Sequence, residues 1–129
     1  MEKWPVIAVD FDGTCVTHEY PHVGMDIGAE PVLRELAGMG YRLVLYTMRS
    51  GSLLKDAKNW FAERKIPLYA INENPEQKSW TSSPKVYADF YIDDAAIGCP
   101  LKLGDLCPRP YVDWEKMREL LIANGILRR

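Results

Sequence analysis

Apolar residues along the chain fall into short continuous runs separated by longer stretches at helical spacing. "PVIAVD", Pro5 to Asp10, is a continuous apolar run rich in β-branched residues that ends in acid. Such a run predicts a strand buried on both faces of a parallel sheet. "PVLRELAGMG" predicts a helix with Pro31 in its first turn and Gly38 and Gly40 at its end. A second strand follows in "YRLVLYT", Tyr41 to Thr47. From Ser52 to Lys65, Leu53, Leu54, Ala57, Trp60 and Phe61 recur at helical spacing behind Ser52 as N-cap. Pro67 ends that helix before the short strand "LYAI". A fourth strand is expected in "ADFYIDD", Ala88 to Asp94, and a last helix in "DWEKMRELLIANG", capped by Asp113 and closed by Gly125. Strands and helices that alternate in this way predict an α/β fold, a Rossmann-like three-layer α/β/α domain with a mostly parallel sheet. Two stretches, Thr14 to Glu30 and Asn72 to Pro84, hold more turn formers than periodic apolar residues. With no repeat or linker, residues 1–129 read as a single domain.

Composition narrows the classes. Hydrophobic residues make up 47% and charged residues 26% of the chain, the balance of a folded globular domain. Lys and Arg number 16 against 18 Asp and Glu, a net charge of -2. That balance disfavours nucleic acid and anionic membranes, which select a basic excess. Cys15, Cys99 and Cys107 are odd in number and lack CxxC spacing, which predicts reduced thiols. No apolar run nears the roughly 20 residues of a membrane span, and "MEKWP" does not open as a signal peptide. The expected compartment is the cytoplasm.

The chemistry is concentrated where strands end. Asp10 closes the first strand and begins "DFDGT", Thr47 closes the second, and Asp93 and Asp94 close the strand after Lys85. In an open parallel sheet these carboxyl ends share one crevice. A single Asp after a strand is most often a cap or turn former. Several carboxylates at one sheet edge repel one another, and a hard divalent cation such as Mg²⁺ resolves that repulsion. Lys85 and the Thr47 hydroxyl would supply a charge and a short donor to a phosphoryl group.

Taken in order, "DFDGT", the Thr of "LYTMRSG", the Lys of "SSPKVYADFYIDD" and its Asp pair resemble the four motifs of the haloacid dehalogenase (HAD) superfamily. The resemblance runs from about Val6 to Asp94. It implies a phosphatase in which Asp10 attacks phosphorus to form an aspartyl-phosphate that water hydrolyses. Asp12 would be the general acid and base; the family's dehalogenases carry Tyr there, so Asp12 points to phosphoryl transfer. Mg²⁺ would be held by Asp10, the Asp12 carbonyl, and Asp93 and Asp94, with Asp94 favoured as the direct ligand. Thr47 and Lys85 would hold the phosphoryl oxygens, with Lys78 a more solvated rival to Lys85. Arg49 would either reach the substrate phosphate or lie in solvent. Ser50 and Gly51 would offer backbone N–H groups at a helix start, where anions are favoured. The family's caps enter between the first motif and the Thr, or between the Thr and the Lys. Here 35 positions separate Asp12 from Thr47 and 38 separate Thr47 from Lys85, so a capless member is expected.

Other readings compete with this one. Cys15, His18 and His22 have soft-ligand spacing, but they fall where the family carries a small flap. Tyr20, His22 and Trp80 are candidates for contacting the non-phosphoryl part of a substrate. "GMG" at Gly38 to Gly40 lacks the third Gly of a dinucleotide fingerprint. A phospho-acceptor receiver module needs its Asp after the third strand, where this chain has Asn72. A non-catalytic module of the same fold is a further alternative, as is a phosphatase for macromolecular or nucleic-acid-end phosphates. The leading expectation is a Mg²⁺-dependent phosphomonoesterase acting on a phosphorylated small molecule, such as a sugar or nucleotide. Its open site would be covered in a homo-oligomer.

Overall fold

The computed structural model describes residues 4–105 and 107–129. Four strands form the central sheet: β1 (Val6–Val9), β2 (Arg42–Leu45), β3 (Ala70–Ile71) and β4 (Phe90–Ile92). They lie in the order β3-β2-β1-β4, and each neighbouring pair is parallel. Helix α1 (Ala29–Met39) joins β1 to β2, and α2 (Gly51–Glu63) joins β2 to β3. A third helix, α3 (Trp114–Ala123), follows a two-stranded antiparallel ribbon of β5 (Leu101–Lys102) and β6 (Tyr111–Val112). The fold is thus α/β with a parallel central sheet. No helix is long and apolar enough to cross a membrane among the described residues.

The strands are shorter than their apolar runs. Tyr46 still donates its N–H to the Val9 carbonyl, but Thr47 lies beyond the ladder. At the start of α2 the cap is Ser50 rather than Ser52. The α1 terminus is as the glycines predict: Gly40 at φ 113° turns the chain, and Tyr41 N–H bonds back to the Leu36 carbonyl. Asp113 caps α3 through its carboxylate, which accepts from the N–H groups of Glu115 and Lys116.

Two successive right-handed crossovers in one direction put α1 and α2 on the same face. Residues of all three helices, such as Leu33, Phe61 and Met117, pack there with Ile7, Val9, Leu43 and Leu45 in one apolar cluster. The return from β3 to β4 crosses the other face, where Val6, Ala8 and Val44 meet Val86 and Ala88. This third layer is built of coil and one 3₁₀ turn, Pro75–Ser79, instead of an α-helix. Gln77 fastens the turn, accepting from Tyr87 N–H and donating to the carbonyls of Ser83 and Lys85.

Candidate functional site

Strand β1 is buried along its whole length, and the pleat that sends Val9 to the helical face sends Asp10 to the other. Asp10 donates its N–H to the Ile92 carbonyl, locking the ends of β1 and β4 together. The chain then turns sharply: the N–H groups of Thr14 and Cys15 both return to the Phe11 carbonyl. Gly13 sits at φ 84°, and a Cβ there would overlap the His18 ring and the Asp94 carboxylate. The turn is braced from behind by Val112 N–H on the Gly13 carbonyl and by the Trp114 indole N–H on the Thr14 carbonyl, at 3.0 and 2.7 Å. The β5–β6 ribbon and α3 therefore shape the site from a distance. A Gly13→Ala variant is expected to lose about 1–3 kcal/mol from the strained φ alone. Scanning calorimetry measures that loss.

Carboxylate oxygens of Asp10, Asp93 and Asp94 lie within 4.8 Å of one another, close enough to share one cation. The buried Thr14 hydroxyl donates to Asp10 Oδ2 at 2.8 Å and accepts from Asp94 N–H at 3.1 Å. Burial, reinforced by the charges of Asp93 and Asp94, pushes the Asp10 carboxyl up to about 8. Burial, reinforced by the charges of Asp94 and Asp93, raises the Cys99 thiol to about 11. His18 Nε2 is buried 3.0 Å from Asp94 Oδ2 but has no aligned hydrogen-bond partner among the described residues. An acidic group this crowded is short of positive charge, and its all-oxygen donor set fits a hard divalent ion.

Asp12 is tied elsewhere. Arg49 donates from Nε to Asp12 Oδ2 at 2.8 Å and from Nη2 to Oδ1 at 2.7 Å. The Arg49 side chain is 1% exposed, out of solvent with its donors turned to Asp12 and to backbone carbonyls. The Thr47 hydroxyl accepts Arg49 N–H, and Thr47 N–H donates to the Asn72 side chain. Asn72, in the left-handed region at φ 52°, is the contributor from β3 that periodicity did not mark. Lys85 is exposed, with Nζ 5.8 Å from the centre of the Tyr91 ring, and forms no ion pair among the described residues. Its rival Lys78 pairs with Glu73 at 3.3 Å.

Of the proposed substrate contacts, Tyr20 is exposed and stacks over Arg49, 5.2 Å from ring centre to guanidinium carbon. The His22 side chain is exposed, and its carbonyl accepts from Arg49. Trp80 is 65% exposed and meets the Tyr87 ring edge-on. Cys15 is fully buried with its thiol donating to the Asp10 carbonyl, which takes it away from His18 and His22 as a soft ligand set.

No family model matches the chain, and no curated protein does. A solved structure described as that of a conserved protein coded by a locus from Bacteroides thetaiotaomicron is 35% identical to it. The two superpose with a TM-score of 0.74, over 95% of this chain and 93% of that one.

Proposed function

The chain belongs to the family of that conserved Bacteroides protein, and we propose that it is a Mg²⁺-dependent phosphomonoester hydrolase of HAD type. The observation that carries this reading is the Asp10 carboxylate, oriented by Thr14 and grouped with Asp93 and Asp94 at the carboxyl ends of adjacent parallel strands. Asp10, the Asp12 carbonyl, and Asp93 and Asp94 would hold the ion. When bound, Mg²⁺ would offset the negative charge of the phosphoryl oxygens facing Asp10.

With a cation held beside it Asp10 would be ionised and ready to attack, and the Thr14 hydrogen bond orients its carboxylate. Its oxygen forms a bond to phosphorus as the bond to the leaving oxygen breaks. Asp12 gives that oxygen a proton. A water then attacks phosphorus, passes a proton to Asp12, and releases phosphate and the free Asp10 carboxylate. Thr47 and Lys85 are the proposed holders of the phosphoryl oxygens, Lys85 by moving off the Tyr91 ring. Tyr20 and the 98% exposed Met48, which adjoin Arg49, offer apolar surface to the rest of a small phosphorylated metabolite. The unbridged thiols are in keeping with a cytoplasmic protein.

Turnover of an aryl phosphate that requires Mg²⁺ and is stopped by EDTA tests the class, and a panel of phosphorylated metabolites then tests the substrate. Absence of both activities defeats the reading. Protons and metal should also compete at this site. Because the folded Asp10 titrates near 8, above its ordinary 3.8, Mg²⁺ must displace a proton at lower pH. The rise in melting temperature produced by Mg²⁺ is therefore expected to be larger at pH 8.5 than at pH 6, by roughly the affinity gained. Scanning calorimetry at both pH values checks this, and a shift of equal size at each would count against a shared carboxylate site.

A further inference from the structure

Arg49 is a buried cation whose five N–H donors are all engaged. Two go to Asp12. Nη2 also donates to the His22 carbonyl at 2.8 Å, and Nη1 reaches the carbonyls of Pro21 and Leu53, each at 3.3 Å. Its faces are covered by Phe11 and Tyr20, with ring centres 5.1 and 5.2 Å from the guanidinium carbon. Removing a guanidinium from water costs several kcal/mol, which a surface tether would not require. This arrangement joins three parts of the fold at one group: the loop after β1 through Asp12, the exposed segment at 20–22, and α2 through Leu53.

The fork also leaves Asp12 usable. A carboxylate has about four lone-pair sites, and Arg49 takes one on each oxygen. Each Asp12 oxygen thus keeps a lone-pair site beyond the fork, on which it can carry the proton exchanged with a leaving oxygen, and its side chain stays 20% exposed. A lysine, with a point charge on a flexible stem, cannot fix that plane or reach the segment carbonyls at the same time.

We propose that Arg49 is the positioning residue for Asp12, binding its carboxylate bidentately and tying it to the segment at 20–22 that borders the site. The proposal rests on the phosphohydrolase reading for its kinetic consequence and on geometry alone for its structural one. Substrate contacts at Tyr20 or His22 would then stiffen the group that aligns the proton donor, linking recognition to proton transfer.

Arg49→Lys keeps the charge and removes the fork. It is expected to lower kcat with little change in KM. The loss should be about tenfold or more greater for an alkyl phosphate than for nitrophenyl phosphate, whose leaving group needs no proton. Amide exchange over residues 17–25 should quicken in Arg49→Lys and in Asp12→Asn, while β1 and β2 keep their protection. If Arg49→Lys does not fold, Tyr20→Ala uncovers the guanidinium from an exposed position and should give the same leaving-group dependence of kcat and the same faster exchange at smaller size, any rise in KM there being the lost substrate contact. A rise in KM at unchanged kcat would make Arg49 a substrate ligand and overturn the proposal. An equal loss on both substrates would also overturn it, reducing Arg49 to a structural role. Should the wild type turn over neither substrate, the phosphohydrolase reading falls. Exchange then decides the tether: faster exchange at 17–25 supports it, and unchanged exchange overturns it.

Discussion

Asp10→Asn is expected to reduce phosphoester turnover by about 10³-fold or more while making the metal-free protein harder to melt near pH 8. Asparagine keeps the shape of the side chain but cannot form the aspartyl-phosphate, so excess Mg²⁺ should not restore activity. The stability gain follows from linkage. The folded carboxyl titrates near 8 against an ordinary 3.8, because it is buried beside Asp93 and Asp94. A raised folded value means that the stability Asp10 contributes is fully present below about pH 4 and is lost as the pH rises through about 8. The neutral amide never incurs that loss. Melting temperatures in EDTA should therefore diverge between variant and wild type from pH 5 to pH 8.5, the variant being higher. Activity rescued by Mg²⁺ would remove Asp10 from the nucleophile role, and parallel melting curves across that range would contradict its crowded environment.

Asp12→Ala is expected to cost about 3–5 kcal/mol of folding stability, the usual penalty for stranding one member of a buried ion pair. Arg49 has its side chain 1% exposed and Asp12 is its ion-pair partner, so truncation leaves a guanidinium hydrogen-bonded only to carbonyls. The double variant Asp12→Ala/Arg49→Met removes both charges and should recover most of the loss. Urea unfolding of the single and double variants measures the coupling. A loss in Asp12→Ala below about 1 kcal/mol would show that the pair is screened like a surface bridge. This result also affects the interpretation of kinetics, since an inactive Asp12 variant must be shown to be folded before its loss is assigned to proton transfer.

The parallel sheet was legible because β1 and β2 are buried on both faces, and burial on both faces leaves a continuous apolar run in "VIAV" and "RLVL". The helices were legible because α1, α2 and α3 each bury one stripe, and a single stripe imposes helical spacing. The two-residue strands β5 and β6 were not, since Leu101 and Lys102 are exposed and two residues carry no period. Nor was the composition of the third layer, because Val86 and Ala88 cover the sheet from coil, held by Gln77, and coil has no sequence period.

For the site, the sequence by itself placed Asp10, Asp93 and Asp94 at strand ends, and the parallel register of β1 with β4 brings those ends together. The carboxyl end of a strand is a local property, so acids located there can be read from local pattern. What only the tertiary structure decided is what each polar group faces. Arg49 and Asp12 are 37 positions apart, and their pairing depends on how the loop after β2 packs over the one after β1. Asn72 reaches Thr47 across 25 positions, and His18 meets Asp94 in the place that a Cβ on Gly13 would otherwise occupy. Such contacts join side chains across separate loops, where no periodicity constrains the chain and the three-dimensional packing alone sets the partners.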